Sequence, residues 1–507
     1  MSASYHYSSQ SSTANLDLNS LYAHPSVDNM STRTPPPLDP ANVQGDILVG
    51  LPKKTQTYVF FQIDDNVSAF RTQLSKLVPL ITSTSQVLND HAQILANKQA
   101  AAEKGRKPTL LTLAGINIAF SHTGLVKMGI TDEIGDSAFD EGQLADAQDL
   151  GDKGTPTSTG FVPDWIPAFK NPVHGVILIS GDCHATVQAT LIKVEQIFNV
   201  GAHNATLHEV LRLVGDVRPG AENGHEHFGF LDGISQPAVK DFDTKPNPGQ
   251  ETKPVTRPAW ALDGSFLALR YLFQLVPEFN TFLKKNPLPL PGLTPEQGSE
   301  LLGARLVGRW KSGAPIDITP LKDNPALGAD PLQNNNFRYA FPDDPQTQDR
   351  CPFAAHTRKT NPRADLEDLP PPTGPVPTES RRIIRRGIQF GPEVTPLEAS
   401  LGQTKLGRGL IFAAYQSNIV NGFQFIQHSW ANTAGFPIQK PVTPGFDPII
   451  GQAADPTSRT LTGTNPNNQS ASLSLPIEWV VPKGGEYFFA PSISTLRDTF
   501  AFGAHVV

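Results

Sequence analysis

Two histidines and the carboxylate of Asp232 lie close together in the segment GHEHFGFLDG. His225 and His227 are separated by one residue, so in an extended segment both side chains would face the same way and could bind a metal ion. Loop histidines satisfied by hydrogen bonds are the alternative. Asp232 lies between Gly229 and Gly233, and flanking glycines would let the backbone come close to a bulky planar ligand. A helix N-cap at Asp232 is the competing interpretation.

A third histidine lies between apolar and cationic residues. His356 follows the residues CPFAA and precedes the cations Arg358, Lys359 and Arg363. Such a segment could make His356 an axial ligand of haem, with the cations pairing the haem carboxylates. A histidine packed in an ordinary core is the alternative.

Four arginines occur in RRIIRRGIQF, whose apolar and β-branched content predicts a strand. Strand alternation would place Arg381 and Arg385 on one face, and Arg382 and Arg386 on the other. Because a buried arginine needs an anionic or polar partner, one face would meet a ligand or the core. A solvated edge strand is the alternative.

The composition excludes several classes of protein. The 507 residues include 41 Lys and Arg against 48 Asp and Glu, a net charge of -7, which excludes nucleic acid as the main partner. The two cysteines, Cys183 and Cys351, exclude a disulfide framework and any site made of four cysteines. The sequence has no glycine-rich phosphate loop, no HExxH and no GxSxG, so nucleotide-binding and hydrolase templates lack support.

The beginning of the sequence predicts a disordered arm over residues 1–38, which are rich in Ser, Thr, Asn and Pro. This arm has neither the cationic nor the apolar stretch of a secretory signal. The chain also has no run of about 18 apolar residues that would cross a membrane. We expect a cytoplasmic protein, or one that reaches the exterior without a signal peptide.

Apolar patterns predict the same order of elements, β-α-β-β-α-β, in two halves of the chain. In the first half we expect helices at 67–104 and 184–198, and strands at 57–63, 110–120, 175–183 and 205–217. In the second half we expect helices at 277–285, 294–310 and 416–430, and strands at 266–276, 381–391, 409–415 and 485–491.

This order is typical of ferredoxin-like folds. The sequence therefore predicts an α+β protein made of two packed ferredoxin-like modules, residues 39–250 and 251–507. A stretch rich in Pro and polar residues near 240–262 separates them.

Several long motifs, taken in order, resemble the dye-decolorizing peroxidase family and above all its fungal members. The resemblance extends from about Val43 to Phe502. It is carried by NVQGDILVGLPKK at 42–54, EHFGFLDGISQPA at 226–238, LLGARLVGRWKSGAPI at 301–316, CPFAAHTRKTNPR at 351–363, RRIIRRGIQFGPE, GLIFAAYQSNIVNGFQFIQHSW and FDPIIGQ.

The resemblance implies two ferredoxin-like modules with haem b bound in the C-terminal one. It implies that His356 is the proximal iron ligand and that Asp447 accepts its second N–H. It also implies that Asp232 is the distal acid–base group and Arg385 the distal arginine. The residues implied to line the haem are Gly233, Ile234, Ser235, Asn361, Pro362 and Arg363.

The function implied is a haem peroxidase that uses hydrogen peroxide to oxidise dyes, phenols and other aromatic donors by one-electron steps. Asp232 would move a proton between the peroxide oxygens, and Arg385 would stabilise the negative charge that develops as the O–O bond breaks. A carboxylate base predicts an acidic optimum.

Trp430, in FIQHSW, has two possible roles. It matches a position used for long-range transfer at the surface of fungal relatives, and plain helix packing is the alternative. A tyrosine used as a surface radical site in some relatives is replaced by Phe390. Oxidation of Mn2+ would need a carboxylate cluster, for which the candidates, or else solvated loop acids, are Asp343, Asp344, Asp365, Glu367 and Asp368.

Two other functions compete with the peroxidase. Release of iron from haem, or other haem handling, has been proposed for some bacterial relatives. A haem carrier without catalysis is the third class. Oligomeric state has no signature in the sequence.

Overall fold

The computed structural model describes residues 38–158, 160–243, 255–340, 345–453, 455 and 458–502. Of the predicted arm at 1–38, only Leu38 falls within this range. The predicted module boundary at 250 also lies outside the described residues.

The first half has the predicted order of elements. The elements are β1 (Thr55–Ile63), α1 (Val67–Leu77), α2 (Thr84–Glu103), β2 (Ala114–Phe120), β3 (Gly175–Gly181), α3 (His184–Phe198) and β4 (Leu207–Asp216). The prediction of a single helix over residues 67–104 is wrong. A 3-10 turn at Val78–Leu80 contains Pro79, and Ser83 then starts α2 with a capping box to Gln86.

The second half repeats this order with longer connections. Its elements are β5 (Ser265–Gln274), α4 (Val276–Lys285), α5 (Pro295–Val307), β6 (Ile384–Arg385), β7 (Ile388–Phe390), β8 (Gly409–Gln416) and β9 (Val480–Ala490). The helix expected at 416–430 consists of two π-helical segments, Val420–Gln424 and Ile426–Ala431.

The strand expected at 381–391 is also wrong in part. Arg381 ends a 3-10 turn, and the strand is interrupted between β6 and β7. At this break a Cβ on Gly387 would lie 2.7 Å from the carbonyl oxygen of Ile411, so only glycine allows the close approach. The expected alternation of the four arginines along one strand therefore does not occur.

The shorter elements lie mostly in the connections. Helical segments occupy Gly45–Leu48, His122–Lys127, Ser137–Glu141, Gln143–Asp146, Pro325–Ala329, His356–Thr360, Ala364–Glu367, Pro396–Leu401 and Ile493–Thr495. Two small hairpins pair Gly154–Thr157 with Gly160–Pro163, and Thr460–Leu461 with Leu473–Ser474.

All the long strands belong to one antiparallel sheet with the order β4-β1-β3-β2-β9-β5-β8-β6, in which β7 also pairs with β8. Each half contributes its strands in the order fourth, first, third, second, the order of a ferredoxin-like module. The fold class is α+β, as predicted. Phe120 pairs with Phe489 where the halves join.

The sheet curls so that its two ends approach each other. A Cβ on Gly215 of β4 would lie 2.4 Å from Ile388 and 2.8 Å from the carbonyl of Gln389, both on β7. One face of the sheet is therefore an interior core, to which Tyr58 and Phe60 contribute. None of the helices in the described ranges has both the length and the hydropathy to cross a membrane.

Candidate active site

A cavity of about 500 Å³ lies in the second half of the molecule. Apolar side chains form much of its lining. They come from the sheet and from the π-helical segments, and include Leu272, Leu410, Phe412, Phe423, Ile426 and Trp430. A volume of this size is typical of sites that bind a cofactor or a drug-sized ligand.

Asp232 enters this cavity from a tight hairpin that follows β4. An isolated bridge pairs His225 with Leu231, and Gly229 between them has a φ of +94°. Gly233 follows with a φ of +81°, and its N–H donates to the Asp232 carboxylate at 2.6 Å. No helix begins at Asp232, so the N-cap interpretation is wrong.

Arg385 on β6 is the partner of Asp232. One Nη1–H of Arg385 donates to Oδ1 of Asp232, and Nη2 donates to the carbonyl of Ser235 at 3.2 Å. Burial raises the pKa of Asp232, but the charge and hydrogen bond of Arg385 outweigh burial and hold that pKa below its ordinary value. The carboxylate is therefore ionised at neutral pH.

The next arginine fixes the backbone on which Arg385 lies. Arg386 donates to the carbonyls of Asp46 at 3.0 Å and Leu48 at 2.5 Å, at the end of the helix Gly45–Leu48. Cations favour this end of a helix. This contact gives the NVQGDIL motif a structural role, because it anchors the strand of Arg385 to the beginning of the described chain.

His356 lines the same cavity at the start of the helix His356–Thr360. Its Nδ1 lies 2.8 Å from Oδ2 of Asp447. Asp447 is fully buried, and its other oxygen accepts the N–H groups of Ile449 at 2.8 Å and Ile450 at 3.0 Å. A carboxylate beside Nδ1 fixes the proton there, which leaves the lone pair on Nε2 for a metal.

The charges of this pair stabilise each other. Burial lowers the pKa of His356, but the Asp447 carboxylate outweighs burial and raises it above the ordinary value. Burial likewise raises the pKa of Asp447, and His356 together with the two backbone N–H groups lowers it below its ordinary value. Asp447 is thus held as an anion behind the histidine.

The comparisons with known proteins identify the family of the chain. A model of the DyP dimeric alpha+beta barrel domain matches residues 42–219. The chain is 44% identical over 477 residues to the dye-decolorizing peroxidase AauDyP1 of Auricularia auricula-judae, with 90% of this chain and 86% of that protein covered. The chain belongs to the dye-decolorizing peroxidase family.

Solved structures of the family superpose closely on the chain. An ancestral D-type dye-decolorizing peroxidase is 61% identical, with a TM-score of 0.84 over 92% of this chain and all of that one (100%). A dye-decolorizing peroxidase in complex with 2,6-dimethoxyphenol is 44% identical, with a TM-score of 0.79 over 92% of this chain and 100% of that one. The chain is therefore a peroxidase.

Dye-decolorizing peroxidases are haem enzymes, and the residues of this cavity fit that group. Apolar side chains suit the macrocycle, and the Nε2 lone pair of His356 suits iron. Arginines suit the two carboxylates, and besides Arg385 the lining includes Arg270, Arg309, Arg338, Arg363, Arg381 and Arg382.

Of the three cations expected near the ligand, one lines the cavity and two do not. Arg363 lines the cavity, where its guanidinium lies 4.0 Å from the ring of Phe337. Arg358 is fully buried against Asp365, and Lys359 donates to two backbone carbonyls, so neither faces the ligand as expected. Burial lowers the pKa of Lys359 to about 7. Arg309 was missed, although it lies in the motif LVGRW.

The other predicted lining residues mostly reach the cavity. Gly233, Ile234, Ser235 and Asn361 line it, whereas Pro362 is buried and does not. The structure thus brings together Asp232, Arg385 and His356, whose roles in the family were inferred from motifs far apart in the sequence.

Trp430 is not at the surface, so that part of the expectation is wrong. It is 4% exposed, lines the cavity, and stacks on Phe436 with an angle of 7° between the rings. Helix packing and cavity lining therefore occur together. Its role in electron transfer stays a prediction.

The two-histidine metal site does not form. His227 is buried, and its Nε2 lies 2.9 Å from the carbonyl oxygen of Phe390. Burial lowers the pKa of His227 to about 4, so it is neutral. Among the described residues no group of three His, Cys, Asp or Glu side chains could hold a metal ion.

The acids proposed for Mn2+ are mostly in ion pairs. Asp343 and Asp344 lie outside the described residues. Asp365 is 1% exposed and pairs with Arg358 and Lys440, so it is not a solvated loop acid. Oxidation of Mn2+ stays a prediction.

Proposed function

We propose that the chain is a haem b peroxidase that uses hydrogen peroxide to oxidise dyes, phenols and other aromatic donors in one-electron steps. The observation that carries the proposal is the ionised Asp232, paired with Arg385, in the same cavity as His356. The relative that binds 2,6-dimethoxyphenol supports aromatic donors.

On the proximal side, His356 would hold the iron through Nε2. Asp447 would accept the Nδ1–H, orient the ring and make the imidazole a stronger electron donor. When bound, haem supplies the redox chemistry that cleaves the O–O bond and takes electrons singly from the donor.

On the distal side, Asp232 would take the proton from one oxygen of hydrogen peroxide and deliver it to the other, so that the departing oxygen leaves as water. Arg385 would place fixed positive charge where negative charge develops. Because Arg385 also lowers the pKa of Asp232, the base stays available in acid.

Donors could give electrons at the cavity or through Trp430. The ring of Trp430 lines the cavity and stacks on Phe436 at 5.2 Å, which supports the proposal because an oxidisable side chain lies in the cavity wall. Mn2+ would be a further donor only if loop acids assemble a site.

The test is an absorption spectrum of the haem-loaded protein before and after one equivalent of hydrogen peroxide, with 2,6-dimethoxyphenol as the donor. We expect peroxide to change the Soret band and the phenol to restore it. Asp232→Asn should retain the Soret band but lose about 10²–10⁴-fold in the rate with peroxide.

Asp498→Asn is the control, since Asp498 forms a surface pair with Arg497. It should behave as the wild type. A haem carrier would show no difference between the two variants. A protein that releases iron from haem would replace the haem spectrum by that of the iron-free porphyrin in both, and either outcome would refute the proposal.

A further inference from the structure

One glutamine side chain joins the segment of Asp232 to the strand of Arg385. Gln236 donates from Nε2 to the carbonyl oxygen of Arg385 at 2.9 Å. The N–H of Arg385 donates to Oε1 of the same glutamine at 3.0 Å. The donor and the acceptor of one amide thus both pair with one residue that is 149 positions away.

These contacts lie where the sheet has no further strand. Strand β6 is only two residues long and is the last strand of the sheet order. It pairs with β8 on one side, and Arg386 donates to the carbonyl of Ala413 there at 2.7 Å. Gln236 therefore satisfies the backbone groups on the free side of Arg385, as a neighbouring strand would.

The same segment also holds the guanidinium of Arg385. The carbonyl of Ser235 accepts from Nη2 at 3.2 Å, and Asp232 accepts from Nη1. Residues 232–236 consequently contact Arg385 through both its backbone and its side chain. Loss of the Gln236 contacts would remove the hydrogen bonds that tie the backbone of the edge strand to the segment of Asp232.

We propose that Gln236 is a positioning residue that fixes the distance and orientation between Asp232 and Arg385 for the reaction with peroxide. The proposal rests on the peroxidase function proposed above. Gln236 acts through Arg385, because the nitrogen and the oxygen of its amide both bond to the Arg385 backbone. It therefore sets the geometry of the pair and takes no part in proton transfer.

The test compares Gln236→Leu with the wild type as full-length holoenzymes. Leucine has nearly the same size and removes both hydrogen bonds. We expect kcat/KM for hydrogen peroxide to fall roughly ten- to hundredfold, the cost of misplacing a reacting group. We also expect the acid limb of the pH profile to move to higher pH, with KM for the aromatic donor unchanged.

A second measurement does not depend on turnover. Hydrogen–deuterium exchange of the peptide that contains residues 381–390 should be faster in Gln236→Leu, since the Arg385 N–H has lost its acceptor. Gln236→Glu is the second variant and decides the question if the leucine variant does not fold. Its carboxylate keeps the acceptor for Arg385 N–H but repels the Arg385 carbonyl, so we expect an intermediate exchange rate.

Gln62→Leu is the matched control, because Gln62 donates one side-chain hydrogen bond to the carbonyl of Pro172 far from the cavity. It should change neither the pH profile nor the exchange of 381–390. If the wild type is active but Gln236→Leu changes neither the exchange of residues 381–390 nor the acid limb of the pH profile, the role proposed for Gln236 is refuted and the peroxidase function stands. An inactive wild type would overturn the peroxidase function and, with it, this role.

Discussion

The two halves of the sheet have the same strand order, but the space between the sheet and the helices differs between them. In the first half, α1 and α3 pack directly on the sheet through Phe70, Leu74 and Leu191, each no more than 2% exposed. In the second half, the corresponding space holds a cavity of about 500 Å³. One module is thus a filled core and the other a binding site.

The difference comes from connections and not from strands. His356 lies in the long connection between α5 and β6, and Asp447 lies in the connection that precedes β9. Asp232 follows β4, and only Arg385 is on a strand. The fold is therefore repeated in both halves, but three of the four candidate site residues come from the connections that reach the cavity.

The largest expected effect is at the residue proposed to hold iron. His356→Ala should remove the Soret band and all peroxidase turnover, because His356 is the only histidine among the described residues that line the cavity. Absorption spectroscopy after haem loading measures this. His208→Ala, which removes a surface ion pair with Asp64, should retain both properties. A normal Soret band in His356→Ala would refute the assignment.

The next effect is on the distal side. Arg385→Leu should lower the rate with peroxide about 10²–10³-fold while haem remains bound. The pKa of Asp232 is depressed by Arg385, so its removal raises that pKa and the carboxylate protonates at higher pH. The acid limb of the pH profile should consequently move upward.

Arg385→Lys separates charge from geometry, because lysine keeps the charge but loses the planar fork. We expect the acid limb to stay closer to that of the wild type while the rate remains low. If the limb does not move in Arg385→Leu, Asp232 is not the group that titrates.

The fold was largely predictable because apolar runs identify strands and helices locally. The run TYVFFQI predicts β1, and the spacing of Val187, Leu191 and Val194 predicts α3. Local patterns failed where tertiary contacts decide. The break after Arg385 depends on the approach of Ile411 to Gly387, which no pattern in RRIIRRGIQF indicates.

The site was predictable only through family motifs. Asp232 and Arg385 are 153 positions apart, and His356 and Asp447 are 91 apart, so neither pair has a local signature. Residue type alone predicted only one of the three cations near His356, since Arg363 lines the cavity and the other two do not. Arg358 and Lys359 were expected at the ligand because they are cations near His356, yet the chain directs both into buried contacts.

A smaller effect should follow from Asp447→Asn. The asparagine oxygen can still accept the N–H groups of Ile449 and Ile450, but its NH2 would face Nδ1 of His356 and favour the wrong tautomer. We expect turnover to fall about 10–100-fold and the reduction potential to rise. Asp136→Asn, at another buried carboxylate that accepts backbone N–H groups, should change neither. An unchanged potential in Asp447→Asn would contradict this role.

The smallest effect on turnover should come from the filled half. Leu191→Ala removes a side chain that is 2% exposed and should cost about 2–5 kcal/mol of unfolding free energy. Turnover per folded holoenzyme should not change, because Leu191 does not line the cavity. Leu410→Ala, in the cavity wall, should do the reverse, with little loss of stability in the haem-free protein and altered kinetics with aromatic donors. Denaturant unfolding and steady-state rates for both variants measure this contrast, and equal changes in both would show that the two halves do not divide stability and chemistry between them.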